Sequence, residues 1–291
     1  MPTSGFTDVL LAPLPPPVQR AIRGFLGPRI VLGDELPPEW RPSANALIEA
    51  RGEQRPLGFT VTVLSYNVKR AERLPTVTAS LSRAVEEHRP DLVLLQEAPL
   101  ALLRRPGLRR VFADRSLFFA PFHQVARPDR RYPHRQYGQL IASTRRMVSH
   151  RVVELPTVNP ATLGAGHLMQ RIALYAELPT FDGRTLGLVN VHNEPFARRR
   201  DRALQHRAFL RVVEDSAPDI AVCCGDFNPT FSQRGEPGIR MLLEHGFENA
   251  FARRWRAVDT CLARGHVGIE TAARLPLAGS DHRPIVIRLR L

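Results

Sequence analysis

With 291 residues, 43% of them hydrophobic and 24% charged, the chain has the composition of a soluble globular protein. No apolar run approaches the roughly 20 residues needed to span a bilayer, and three cysteines, two of them adjacent, neither build a disulfide framework nor carry zinc-site spacing. The net charge of +13 is almost wholly arginine, since Lys69 is the only lysine, and it favours anionic partners: nucleic acid, phosphorylated small molecules or acidic lipid surfaces.

Residues 1–57 are proline-rich ("LAPLPPP", "LPPEWRP") and lack strand alternation, so we expect an extension packed on a body formed by residues 58–291. One short basic helix is expected at 18–26, "VQRAIRGFL". No basic start followed by a long apolar core opens the chain, which predicts a cytoplasmic protein. From Phe59 onward, short apolar runs alternate with turns. "FTVTVLSYNV", "DLVLLQEA", "SLFFAP", "GQLIAST", "MQRIALYAEL", "TLGLVNVHN", "DIAVCCGDF" and "RPIVIRLRL" read as strands by length and by β-branched and aromatic content. Helical spacing appears in "TVTASLSRAVEEHRP", with Val77, Leu81, Ala84 and Val85, and again in "DRALQHRAFLRVVEDS". Many strands, few helices and no sustained βαβ alternation predict an α+β fold: a four-layer αββα sandwich of two mainly antiparallel sheets flanked by helices.

Several predicted strands end in residues suited to a metal or a phosphate: Asn67, Glu97, His192 with Asn193, and Asp226 with Asn228. Asp281 and His282 precede the last strand. Each short match alone also fits a turn; "CCGDFNPT" reads equally as a strand running into an Asx turn. Their repetition at strand ends points to one site at one edge of the scaffold. Acids suit a hard cation, histidines move protons near neutral pH, and amides bind phosphate without adding charge, a set that fits phosphoester hydrolysis. No nucleophile elbow, GxGxxG or GxxxxGK motif occurs, which removes serine hydrolases, dinucleotide enzymes and P-loop enzymes.

The ordered set Asn67, Gln96-Glu97, Tyr137-Gly138 before a strand ending in Ser143, Asn190-x-His192, Gly225-Asp226-x-Asn228, Asp259 and Ser280-Asp281-His282 resembles the endonuclease/exonuclease/phosphatase superfamily, from about Phe59 to Leu291. The resemblance implies a metal-dependent phosphoester hydrolase using Mg2+, or Mn2+ in its place. Glu97 would ligate the cation, Asn67 would touch metal or phosphate, and Asp281 would add a ligand or bond the base. His282 would be the general base, with Asp259 orienting it. Asp226 would align the attacking water or a second metal, Asn228 would hold the phosphate, and His192 would stabilise developing charge or protonate the leaving group. Thr260-Cys261 after Asp259 and "VHNEPF" at His192 depart from the usual pattern. Lys69 stands where apurinic endonucleases carry a second polar residue of the metal shell.

The segment "PFHQVARPDRRYPHRQYG" interleaves Arg127, Arg130, Arg131 and Arg135 with Phe122, Tyr132 and Tyr137. Arginines neutralise phosphates and aromatics stack on bases, so Arg130, Arg131, Tyr132, Arg135 and Tyr137 form a candidate nucleic-acid contact; the same residues also suit a solvated loop with its aromatics tucked onto the body. A basic run, Arg198 to Arg200 with Arg202, follows His192 and is expected to line the same edge. The expected substrate is nucleic acid, with a small phosphorylated metabolite, an inositol phosphate or a phospholipid as alternatives. A catalytically silent binding protein of this fold would carry lesions in the catalytic set, and Glu97, Asp226, Asn228 and His282 are intact. Oligomeric state leaves no mark on the sequence.

Overall fold

The computed structural model describes residues 41–125, 128, 132–156, 167–195, 197–229, 232–252 and 257–291. The expected helix at 18–26 and the arginines at 127, 130 and 131 lie outside the described residues. Strands β1 (Leu47–Glu49) and β2 (Thr60–Asn67) lead to helix α1 (Leu74–His88) and strand β3 (Leu92–Pro99). Short helices α2 (Leu100–Leu103) and α3 (Pro106–Phe112) precede β4 (Ser116–Val125), β5 (Gln136–Ser143), β6 (Ser149–Glu154), β7 (His167–Met169), β8 (Ile172–Pro179) and β9 (Thr185–His192). Helix α4 (Arg199–Ser216), β10 (Ile220–Asp226), helix α5 (Pro237–Glu244), β11 (Glu248–Asn249), β12 (Asp259–Gly265), β13 (Gly268–Arg274) and β14 (Ile285–Arg290) complete the chain.

One sheet runs β1-β4-β5-β3-β2-β14-β13, with β7 on β4, and the other runs β11-β12-β10-β9-β8-β6. All pairings are antiparallel except β2 with β3 and β9 with β10. A parallel pair needs a crossover, and α1 and α4 supply the two. Alternation along the central strands builds three apolar layers. Val61 and Val63 of β2 and Ile220, Val222 and Cys224 of β10 meet between the sheets. Leu64 and Tyr66 face α1 and its neighbours, whereas Ala221 and Cys223 face α4 and α5. Strands buried on both faces read as continuous apolar runs, which is why these were legible. The result is the αββα sandwich.

Of residues 41–57, β1 pairs antiparallel with β4 at a sheet edge, and the Leu57 amide bonds to the Pro179 carbonyl at 2.8 Å. Helix α1 opens with Pro75, buries Val77, Leu81 and Ala84, and stops where Arg89 takes a left-handed conformation. Its apolar stripe is the one that the 3.6-residue spacing predicts. Each fully buried aliphatic side chain in these layers is worth about 1.5–3 kcal/mol. Among the described residues, no helix is long and apolar enough to cross a membrane.

Candidate active site

The face that β2, β3, β9, β10 and β12 turn toward the opposite sheet is apolar along most of its length and becomes polar at one end. On β9, Leu186 and Leu188 give way to Asn190 and His192; on β10, Val222 and Cys224 give way to Asp226; on β12, Ala263 and Cys261 lead back to Asp259. Period-two alternation therefore carries the polar residues of separate strands to one rim. Beneath them the Gln96 amide donates to Ser65 Oγ at 3.1 Å and to Asn190 Oδ1 at 2.7 Å. Asn190 in turn donates to the Leu95 and Leu140 carbonyls, so amides tie the sheets together under the site.

By the same alternation Glu97 should face away from the site. A bulge between Leu95 and Ala98, with Glu97 at φ +53°, turns it inward. Asn67 Nδ2 then lies 3.4 Å from Glu97 Oε1 and 2.9 Å from Asp226 Oδ2. Asn67, expected at the metal or phosphate, thus presents its amide nitrogen to both acids, and its oxygen accepts from the Lys69 amide at 2.9 Å. Asp226 is reached through Gly225, at φ +144° with Val191 O only 2.1 Å from where a Cβ would stand. No side chain fits there. Asp226 Oδ1 accepts the Asn228 amide at 3.0 Å, and Asn228, at φ +46°, donates its own side-chain amide to the Asn193 carbonyl at 3.0 Å. The Asx turn is real and sits inside the site.

His282 completes the cluster from the loop before β14. Its Nδ1 lies 3.0 Å from both oxygens of Asp259, and its Nε2 is 3.7 Å from Asp226 Oδ2 and 3.9 Å from Asp281 Oδ1. Ser280 anchors this loop, donating to the Asn67 carbonyl at 2.7 Å and accepting the His282 amide at 3.1 Å. Burial works against charge on His282, but the Asp259 hydrogen bond and the negative fields of Asp226, Asp259 and Asp281 prevail and raise its pKa to about 10. Burial raises Asp226 to about 7, opposed by His282. After Asp259, Thr260 donates its hydroxyl to Asn249 Oδ1 at 2.8 Å and Cys261 fills the core.

His192 is buried. Its Nε2 lies 3.7 Å from Glu97 Oε1 and 3.8 Å from Asp226 Oδ2, and Arg171 Nη1 stands 3.5 Å from its Nδ1. Burial and the Arg171 charge hold it well below the usual histidine range. It is a neutral imidazole with its proton on Nε2, because Arg171 can only donate to Nδ1. Arg171 and Glu194, which sequence reasoning missed, form a buried bidentate pair at 2.9 and 3.2 Å. Behind it, Gln205 accepts the Glu194 amide at 2.9 Å, and Arg202 donates to the Glu194 carbonyl at 3.0 Å and pairs with Glu236 at 3.1 and 3.2 Å. Arg202 was expected to line the site's edge with its neighbours; it is fully buried, while Arg198 to Arg200 remain exposed at the start of α4.

The Lys69–Ala71 turn has left-handed φ at all three residues, +45°, +56° and +50°. Each such residue costs about 1–2 kcal/mol, and cost of that kind concentrates at functional sites. Lys69 Nζ meets Asp281 Oδ2 at 3.1 Å, and the Arg70 guanidinium lies 5.0 Å over the Tyr132 ring. Burial opposes ionisation of Asp281, but Lys69 and His282 hold it below its ordinary value. Of the candidate nucleic-acid contact, Arg130 and Arg131 lie outside the described residues, Arg135 is exposed and Tyr132 is half-buried. Tyr137 is fully buried, its hydroxyl accepting the His134 amide at 2.8 Å, so it supports the loop from beneath. Ser143, part of the ordered set, pairs with Leu92 at the other end of β3 from Glu97.

Whether these residues suit a divalent cation is decided by their donors. Glu97 and Asp226 share one amide nitrogen and one imidazole, a concentration of carboxylate oxygen that a hard ion requires. Asp226, Asp259 and His282 also offer ligand atoms within 4.8 Å of one another. There, however, both oxygens of Asp259 are at hydrogen-bonding distance from the imidazole, which marks the trio as a proton-handling group.

Comparison with known proteins gives the architecture a context. No curated protein matches in sequence. Among solved structures, D. rerio TDP2 complexed with single strand DNA product superposes with TM-score 0.58 at 17% identity, over 80% of this chain and 99% of that one. The human Nocturnin catalytic domain gives TM-score 0.59 at 16% identity, over 81% and 96%. The mannosyl-6-phosphatase of Bacteroides thetaiotaomicron gives 0.58 at 15%, over 79% and 100%. At such identities the likeness is one of fold. The sequence model described as Endonuclease/Exonuclease/phosphatase family matches residues 64–282, a span that begins within β2 and ends at His282, and the chain belongs to that family.

Proposed function

We propose that the protein is a divalent-cation-dependent phosphoester hydrolase that cleaves nucleic acid in the cytoplasm by attack of water on phosphorus. The observation that carries this reading is His282, backed by Asp259 at 3.0 Å and aimed at Asp226, in one cluster with Glu97. Glu97 and Asp226 would hold the cation. Bound there, Mg2+, or Mn2+ in its place, would polarise a phosphoryl oxygen and draw down the pKa of His282. His282 Nε2 takes the proton of the attacking water, since Asp259 engages Nδ1 and leaves Nε2 as the acceptor. Asp226 aligns that water, Asn67 fixes both acids, and the free hydrogen of the Asn228 amide holds a phosphoryl oxygen. Neutral His192 donates its Nε2 proton to charge developing in the transition state.

The net charge of +13 and the exposed arginines 198–200 favour a polyanionic substrate, as does the fold's use by a protein solved with a DNA product. A second reading, hydrolysis of a small phosphorylated metabolite, is favoured by the similarity to a mannosyl-6-phosphatase. A substrate panel separates them: single- and double-stranded DNA, RNA, phosphorylated inositols, sphingomyelin, a sugar phosphate and an aryl phosphodiester, each with magnesium and with manganese. Cleavage confined to small monoesters replaces the first reading with the second. Turnover in excess chelator, or no turnover of any substrate, overturns both.

A further inference from the structure

We propose that residues 30–40 of this same chain dock in a groove between β1 and helices α2 and α3, with their apolar side chains on its floor and their acids on its arginines. The groove encloses about 870 Å³ on the outer, helix-covered face of the sheet, apart from the acid cluster, which faces the opposite sheet. Its floor is Leu47 of β1, Leu100 and Leu103 of α2, Phe112 of α3 and Leu117 of β4. Leu47, Leu100 and Leu103 are only partly buried, so the apolar layer is incompletely covered at this edge. Arg104 and Arg109 also line the groove; both are exposed, and among the described residues neither is paired with a carboxylate. β1 is the outermost strand of its sheet, and an open edge beside uncovered leucines is a surface that proteins protect.

Three observations point to this occupant. The described chain begins at Arg41, and Asn45 and Ala46, a few residues on, line the groove themselves. Leu36 stands five residues before Arg41, a reach of up to about 17 Å, and Ile30 eleven residues before it, up to about 36 Å, whereas α3 is about 10 Å long. The segment therefore reaches the whole groove. Its sequence, "IVLGDELPPEW", joins Ile30, Val31, Leu32, Leu36 and Trp40 to Asp34, Glu35 and Glu39, with no basic residue in a chain of net charge +13. The helical wall, "LLRRPGLRR", has four arginines and no acid. Apolar and charged groups thus match on both sides. A segment tethered this closely competes at an effective concentration of about millimolar, which favours it over a free ligand for the same groove.

Hydrogen exchange of the full chain, read by mass spectrometry over α2 and α3, tests this. The samples are the wild type, Asp34→Arg with Glu35→Arg, Arg104→Glu with Arg109→Glu, and all four substitutions together, with thermal melting to show that each is folded and light scattering to give its mass. Each reversed pair sets like charges against each other, and protection of the α3 amides is expected to fall by about 5-fold or more. The fourfold variant, whose charges are opposite again, is expected to return toward wild-type protection at unchanged mass. Unchanged protection in either reversed pair, or no recovery in the fourfold variant, overturns the proposal. Recovery that depends on protein concentration and comes with a doubled mass places the segment on a second copy and overturns it too. None of these readouts involves turnover or metal, so the hydrolase reading stands or falls separately.

Discussion

Asp226 and Asp259 are direct partners across the β10–β12 ladder, and His282 spans them, 3.0 Å from one and 3.7 Å from the other. Two aspartates paired in an antiparallel ladder repel, so the arrangement is stable only with positive charge between them. Asp259→Asn keeps the shape and removes the carboxylate charge that faces His282 Nδ1. We expect kcat to fall about 100-fold or more with little change in melting temperature. The same substitution should lower the pH at which His282 titrates in cation-free protein, from about 10 toward the ordinary value, as read by NMR of the ring. An unmoved titration would show that Asp259 does not set the state of His282.

Glu97→Gln keeps the bulge and the contact with Asn67 but removes the carboxylate assigned to the cation. The manganese concentration for half-maximal activity should rise by about 10-fold or more, since even outer-shell changes around metal sites reach that size. Equal metal dependence in wild type and variant would move the cation elsewhere.

Arg171 and Glu194 are buried, paired and adjacent to His192. Removing one partner leaves the other charge uncompensated, so Arg171→Met should lose about 3–5 kcal/mol of stability in urea, and Arg171→Met with Glu194→Met should regain most of it. Equal losses in single and double variants would mean that packing, not charge, sets the cost.

What the sequence disclosed follows from where each signal resides. The core strands announced themselves because both faces are buried, as in "VTVLSYN" and "DIAVCCGD"; β6 ("SHRVVE") and β13 ("GIETAAR") did not, because edge strands keep polar and small residues on the solvent side. Glu97, Asp226 and His282 were legible as polar ends to apolar runs. The turning of Glu97 was not, since a bulge is a property of two strands together. Arg202 looked like part of a basic rim because its run is basic, yet its partner Glu236 lies 34 residues away and draws it inside. Arg171 and Glu194 are 23 residues apart, and only the fold joins them.

If residues 127–137 grip a phosphate backbone, binding to single-stranded DNA should weaken steeply with salt. Arg130→Ala, Arg131→Ala and Arg135→Ala together should then reduce the slope of log K against log salt by about one unit per lost contact. An unchanged slope confines the error to this loop and leaves the acid cluster as it is.

His206 on α4 is buried beneath the site, its Nδ1 2.9 Å from the Arg202 carbonyl and its Nε2 3.1 Å from the Asn193 amide nitrogen. The carbonyl requires a proton on Nδ1 and the amide requires a lone pair on Nε2, so the pocket accepts the neutral ring only. Burial, with Arg202 nearby, lowers its pKa to about 4 despite the helping carbonyl. In the unfolded chain it titrates near 6.5, so between pH 6.5 and pH 4 the unfolded state holds a proton that the folded state refuses. Stability is therefore full above the unfolded pKa and falls as pH drops through this window, by about 2 kcal/mol between pH 7 and pH 5 from this residue. The difference in unfolding free energy between the two pH values should shrink by that amount in His206→Gln, which keeps a polar group and loses the titration. Denaturant melts of both proteins at both pH values measure it; identical pH dependence would show that His206 is not the group whose protonation loosens the support under Asn193 and His192.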